Sequence, residues 1–168
     1  MPANSRLALT SAALTGRYPE DMESGLHVPV KRLHPEAKLP KYAHTGPFGD
    51  LAADLYSVAG AYIEPHKTAL VPTGIAMAFP AEYGALIEDR SGLAVKGITT
   101  LAGVIDPGYR GEIKVVLINI TDAPTALNAG DRIAQLRMVR KIEATFEEVE
   151  DLEATHRGDG GFGSTGRN

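Results

Sequence analysis

The stretch "GEIKVVLINI" (residues 111–120) decides how the rest of the chain is organised. It is rich in β-branched residues, and toward its end apolar side chains fall on both faces of an extended backbone. A strand with no polar face must be covered twice, by a second sheet or by another subunit. Around it, 18 glycines and 11 prolines punctuate short apolar runs, which favours many short strands over long helices. Upstream, "HVPVKRL" (27–33) alternates and reads as a first strand, and the Pro- and Gly-broken 34–50 as a loop. "LAADLYSV" (51–58) is a short strand, Pro65 and Pro72-Thr73-Gly74 mark turns, and "IAMAFP" and "YGALIEDR" flank a turn at Pro80. Downstream, Leu136, Met138, Ile142, Ala144 and Phe146 share one parity, so 129–149 reads as a bent or broken strand rather than a helix. These elements predict an all-β, jelly-roll-like sandwich.

A chain of 168 residues suits one domain. The expected division is a dispensable tail over 1–26, the β domain over 27–150, and an acidic linker with a glycine-rich arm over 151–168. A net charge of −4 argues against a general nucleic-acid binder. No apolar run approaches the roughly 18 residues that span a bilayer, so no membrane partner is expected. The absence of cysteine removes disulfides and thiolate chemistry and is compatible with a cytoplasmic location.

Several segments carry chemistry. "EDRSGLA" (88–94) sets Arg90, Ser91 and Gly92 at a strand exit, where a guanidinium fork, a hydroxyl and open N–H groups suit an anion. The plainer reading is a strand-ending turn with a surface arginine. In "GVIDPGYRGE" (103–112), Asp106 precedes a Pro-Gly turn at the tip of an expected hairpin, with Tyr109 nearby. The carboxylate can take a proton from water, or merely open the turn. Arg132 and Gln135 in "AGDRIAQL" (129–136) can bind phosphate or line a solvent face, and Asp54 stands alone in the apolar "AADLYS" (52–57). The closing "RGDGGFGSTG" (157–166) is half glycine, yet carries Arg157, Phe162, Ser164 and Thr165. No Walker loop, dinucleotide fingerprint or Gly-x-Ser-x-Gly elbow occurs, and the five histidines lack metal-ligand spacing.

The order of "AADLYS", "RSGLA", "GVIDPGYRGE", "GDRIAQL" and "RGDGGFGSTG" resembles the five motifs of the homotrimeric dUTP diphosphatases (dUTPases), over about residues 28–168. The resemblance implies a homotrimer with shared active sites that converts dUTP to dUMP and pyrophosphate with Mg²⁺. It assigns Asp106 as the general base and Tyr109 as the platform for deoxyribose. Backbone groups of Gly103, Val104 and Ile105 would read uracil, with Lys114 a further substrate contact. Arg90, Ser91, Gly92 and Gln135 would hold phosphates, and Asp54 would orient waters on Mg²⁺. Arg157 would reach the terminal phosphates, Phe162 would stack on uracil, and Gly163, Ser164 and Thr165 would wrap the phosphates as a ligand-gated lid.

The resemblance has one gap. The link between "RSGLA" and "GVID" is short, and Thr99, Thr100 and Leu101 stand where many members place an asparagine against the base. Two rival readings also stand beside the hydrolase. A dCTP deaminase shares the "IDPG" turn but needs a glutamate where this chain has Val116. A non-catalytic nucleotide-binding module would have no use for both Asp106 and a complete closing arm.

Overall fold

The computed structural model describes residues 25–156 and Gly158. Its strands are β1 (Val30–Arg32), β2 (Ala53–Tyr56), β3 (Ala61–Ile63), β4 (Thr68–Met77), β5 (Tyr83–Glu88), β6 (Ile98–Leu101), β7 (Val104–Ile105), β8 (Glu112–Asn119), β9 (Thr125–Leu127) and β10 (Arg132–Arg140). A single-turn helix, α1 (Ser91–Ala94), is the only helix among the described residues. One sheet has the order β1-β4-β8-β6, a second β2-β10-β5-β7, and β3 pairs with β9 apart from both. The predicted β architecture is therefore present.

Alternation decides the core. Val71 and Ile75 of β4 and Ile113, Val115 and Leu117 of β8 point inward from the first sheet. Leu55, Ala85, Ile87, Ala134 and Leu136 meet them from the second. Asn119, at the end of β8, is fully buried but satisfied. It donates to Ile63 O and Ala123 O and accepts from Thr121 N–H and Oγ1–H, so it fastens the turn after β8.

The second face of β8 is less covered than its sequence suggests. Val116 and Ile118 are half-buried, and Leu70, the cross-strand partner of Val116, is 60% exposed.

Three further local expectations change. Pro72-Thr73-Gly74 does not end a strand. It lies inside β4, which runs through as ten residues with a register shift against β8 between Pro72 and Ala76. Proline cannot donate to a ladder, and side chains repair the break. Thr73 Oγ1 donates to Ile113 O, and Gly74 N–H, at φ +68°, donates to Glu112 Oε1 at 2.9 Å.

The Asp106 turn is not a hairpin tip. β7 pairs with β5 in the second sheet, while β8 pairs with β4 and β6 in the first. The turn, closed by Tyr109 N–H on Asp106 O at 3.1 Å, is thus a corner between sheets.

The apolar parity after β10 does not continue as strand. Lys141 N–H still bonds Glu82 O, but β5 begins at Tyr83 and offers no further partner. Leu136 is in the core and Met138 packs against it, whereas Ile142 and Phe146 are 85% and 94% exposed. The acidic 147–156 is exposed coil.

Candidate active site

Two groups of candidate residues form, on different parts of the chain. The first gathers on the second sheet. Asp54, in β2, is 6% exposed. It accepts from Arg90 Nε at 2.9 Å on Oδ1 and from Arg132 Nη1 at 3.1 Å on Oδ2. The Asp54 backbone exchanges two bonds with Lys41, which fixes the strand from the other side. Arg90 also donates to Arg132 O at 3.2 Å. Two guanidinium groups against one carboxylate leave a local excess of one positive charge, suited to an anion. Gln135 sits opposite Asp54 on one side and Glu88 on the other. Ser91 and Gly92 are exposed at the start of α1, ahead of Leu93 N–H, which Arg90 O engages at 2.9 Å. A Cβ added at Gly92 would meet nothing within 4 Å, so this backbone is open to approach.

The second group lines a cavity of about 320 Å³ at the inter-sheet corner, bounded by Leu70, Val104, Ile105, Asp106, Tyr109 and Lys114, with Glu112. The Asp106 side chain accepts no hydrogen bond among the described residues and opens to solvent. Tyr109 is half-exposed, and its hydroxyl donates to Glu112 O at 2.9 Å. Its ring lies over Gly111, where a Cβ would come within 2.7 Å of Tyr109 Cζ. Glu112 pairs loosely with Lys114 at 3.5 Å while accepting from Gly74, so the lysine rests on a fixed carboxylate.

The backbone of 103–105 is used unequally. Ile87 N–H donates to Gly103 O at 2.8 Å, which sets the alternation along β7. Ile105 is then the next residue bonded to β5, and Val104 directs its N–H and C=O toward the free edge of the sheet. Gly103 is required where it stands, because φ is +128° and a Cβ would lie 2.6 Å from Ile87 O.

Some partners were invisible in the sequence. Glu88 accepts from Arg137 through both oxygens, at 2.6 to 3.1 Å, and that bond holds its carboxyl below the usual range. Asp89 accepts from Thr99 Oγ1, Thr100 N–H and Thr100 Oγ1. Nothing in local composition signals either pair; both are cross-strand or cross-loop meetings. Arg157, Phe162, Gly163, Ser164 and Thr165 lie outside the described residues, as does nearly all of the 1–26 tail. A larger groove of about 520 Å³, lined by Val28, Leu39, Tyr42, Met77 and Met138 among others, has no candidate residue and no charged side chain among the described residues that line it.

A family model described as dUTPase matches residues 38–166. The chain belongs to the dUTPase family. Among dUTPase-family relatives, a deoxyuridine 5'-triphosphate nucleotidohydrolase of Bifidobacterium longum subsp. infantis is 50% identical over 157 residues, covering 90% of this chain and 95% of its own. One from Thermobifida fusca is 48% identical over 145 residues, covering 84% of this chain and 79% of its own. A Staphylococcus bacteriophage 80alpha dUTPase G164S mutant, solved with dUpNHpp, superposes with a TM-score of 0.74 at 26% identity. That alignment covers 84% of this chain and 99% of the phage chain.

Proposed function

We propose that this chain hydrolyses dUTP to dUMP and pyrophosphate, with Asp106 as general base. The observation that supports the residue roles is the corner cavity, which Val104, Asp106, Tyr109 and Lys114 line together. A water held by Asp106 would give up its proton to the carboxylate as its oxygen bonds to the α-phosphorus. The bond from that phosphorus to the bridging oxygen breaks, and pyrophosphate leaves. Val104 N–H and C=O offer one donor and one acceptor to the uracil edge. The pinned Tyr109 ring would stack on deoxyribose and crowd out a 2′-hydroxyl.

Arg90, Ser91, Gly92 and Gln135 would bind the phosphates. Mg²⁺ would be held beside them through water on Asp54, whose two oxygens each accept one guanidinium bond, and Mg²⁺ favours hard oxygen donors with retained waters. When bound, the ion would neutralise charge on the triphosphate. The arginines meanwhile hold Asp54 in one orientation.

A homotrimer with shared active sites is part of the proposal. Among the described residues the Asp54–Arg90 group and the Asp106 cavity have no residue in common, which supports a site completed by a neighbouring subunit. The exposed Leu70 and half-buried Val116 and Ile118 supply apolar surface for such contacts. The glycine-rich arm (157–166) would close the site from a further subunit, with Arg157 and Phe162 on phosphate and base. Among the described residues no helix is long and apolar enough to cross a membrane. A cytoplasmic location, where deoxynucleoside triphosphates are made, belongs to the same proposal.

The deciding experiment is pyrophosphate release from dUTP with Mg²⁺. No release would remove the hydrolase reading, and ammonia from dCTP would favour a deaminase. Val116, where a deaminase would place its glutamate, instead packs beside Leu70 and Leu101 in the sheet.

A further inference from the structure

We propose that Asp89 is a positioning residue that clamps the Arg90–Gly92 loop to β6 through Thr99 and Thr100. The proposal rests on the reading that Arg90, Ser91 and Gly92 bind phosphate. Asp89 directly follows β5, in the second sheet, while Thr99 and Thr100 belong to β6, at the edge of the first. The carboxylate accepts from Thr99 Oγ1 at 2.6 Å and from Thr100 N–H and Oγ1 at 2.5 and 2.8 Å. Burial pushes the Asp89 carboxyl up, but these three donors outweigh it and hold the group below the usual aspartate range. The native interaction is therefore with the ionised form, for which hydrogen bonds are strongest.

The clamp ties down the entry of a loop whose exit is anchored separately, by Ile120 N–H on Gly97 O at 2.9 Å and by the pairing of Ile98 with Asn119. Between the two lie residues whose other backbone bonds are local, from Leu93, Ala94, Val95, Lys96 and Gly97 to residues three or four earlier in the chain. Leu93 packs against the core, but Ser91, Gly92, Val95 and Lys96 face solvent. Arg90 is held by Asp54 on one side, and Asp89 is held by β6 on the other. Ser91 and Gly92 follow two consecutively anchored residues, which fixes where their N–H groups can point.

The same bonds answer what Thr99 and Thr100 do. Their hydroxyls are committed to Asp89, so the short 95–102 link acts as a strut and not as a side-chain contact to the base. Beyond the strut, β6 passes through Ala102 (φ +60°) and Gly103 (φ +128°) into Val104 and Asp106. Asp89 thereby sets the spacing between a phosphate loop and the strand that leads to the base-reading edge.

The test uses the full-length chain with two readouts. Asp89→Ala should speed amide hydrogen exchange over 90–97 and weaken binding of dUpNHpp, each by about tenfold, while dUMP affinity stays within about twofold. Thr99→Ser with Thr100→Ser keeps both hydroxyls and should retain wild-type exchange and affinity. Equal weakening of dUMP and dUpNHpp overturns the proposal, as does a lowered melting temperature with unchanged affinity and unchanged local exchange. If the wild-type chain releases no pyrophosphate from dUTP, the hydrolase reading fails by itself. The exchange arm still decides whether Asp89 clamps the loop.

Discussion

Arg90 Nε donates to Asp54 Oδ1 at 2.9 Å, joining the residue just before α1 to the middle of β2 across 36 positions. Arg132 takes the other oxygen, so a single buried carboxylate orients two cations. Removing its charge leaves both guanidinium groups uncompensated, one of them largely out of water. Asp54→Asn should therefore cost about 2–3 kcal/mol in denaturant unfolding. It should also raise the Mg²⁺ concentration needed for half-maximal pyrophosphate release. Unchanged stability and unchanged Mg²⁺ dependence would remove Asp54 from both roles.

Asp106→Asn keeps the turn, because the bond that closes it uses the Asp106 carbonyl oxygen and not the side chain. A neutral amide cannot take the proton. Turnover should fall by at least about a hundredfold with dUTP affinity retained, as read by pyrophosphate release and calorimetric titration. A near-wild-type rate would assign the base elsewhere.

Gly111→Ala puts a methyl group against the Tyr109 ring, which has to move. The expected result is a normally folded protein that discriminates less between dUTP and UTP. Comparing kcat/KM for the two nucleotides checks this, and intact discrimination would show that ring placement does not exclude the 2′-hydroxyl.

Truncation after His156 removes the arm but no core residue, since the core spans Ala37 to Leu136 with Met138 packed against it. The shortened chain should keep its circular dichroism and sedimentation behaviour while losing most catalysis. A chain that unfolds or dissociates would show the arm to be structural instead.

Arg137 holds the Glu88 carboxyl below 4.5, its ordinary value. A depressed folded value means stabilisation that is present above the unfolded value and lost as pH falls through the folded one. Arg137→Met should thus be less stable than the parent at neutral pH. The difference should shrink as pH falls below the ordinary glutamate value and the folded-state carboxylate takes up its proton, and also in high salt. Urea unfolding at neutral and at acid pH reads it, and a difference that grows on acidification would contradict the sign.

The sequence by itself determined the all-β class and proposed the candidate site residues. Period-two patterning in β8 and β10 needs only neighbouring residues, and the order of the five motifs is a linear property. Asp106 and Tyr109 could be named together because a short turn keeps them close, and Lys114 only through the resemblance to the dUTPase motifs. Tertiary structure decided the rest. Pro72-Thr73-Gly74 looked like a strand end because proline and glycine break ladders; Glu112 and Thr73 repair that break from across the sheet. The Asp106 turn looked like a hairpin because its flanking strands are adjacent in sequence, yet they join different sheets. Ile142 and Phe146 kept the apolar parity but have no partner strand among the described residues. Asp54 read as a solitary carboxylate, Asp89 drew no reading of its own, and Thr99 and Thr100 stood out only for occupying the place of an asparagine. Their roles come from hydrogen bonds to residues 10 to 78 positions away, and no local pattern encodes which strands will lie side by side.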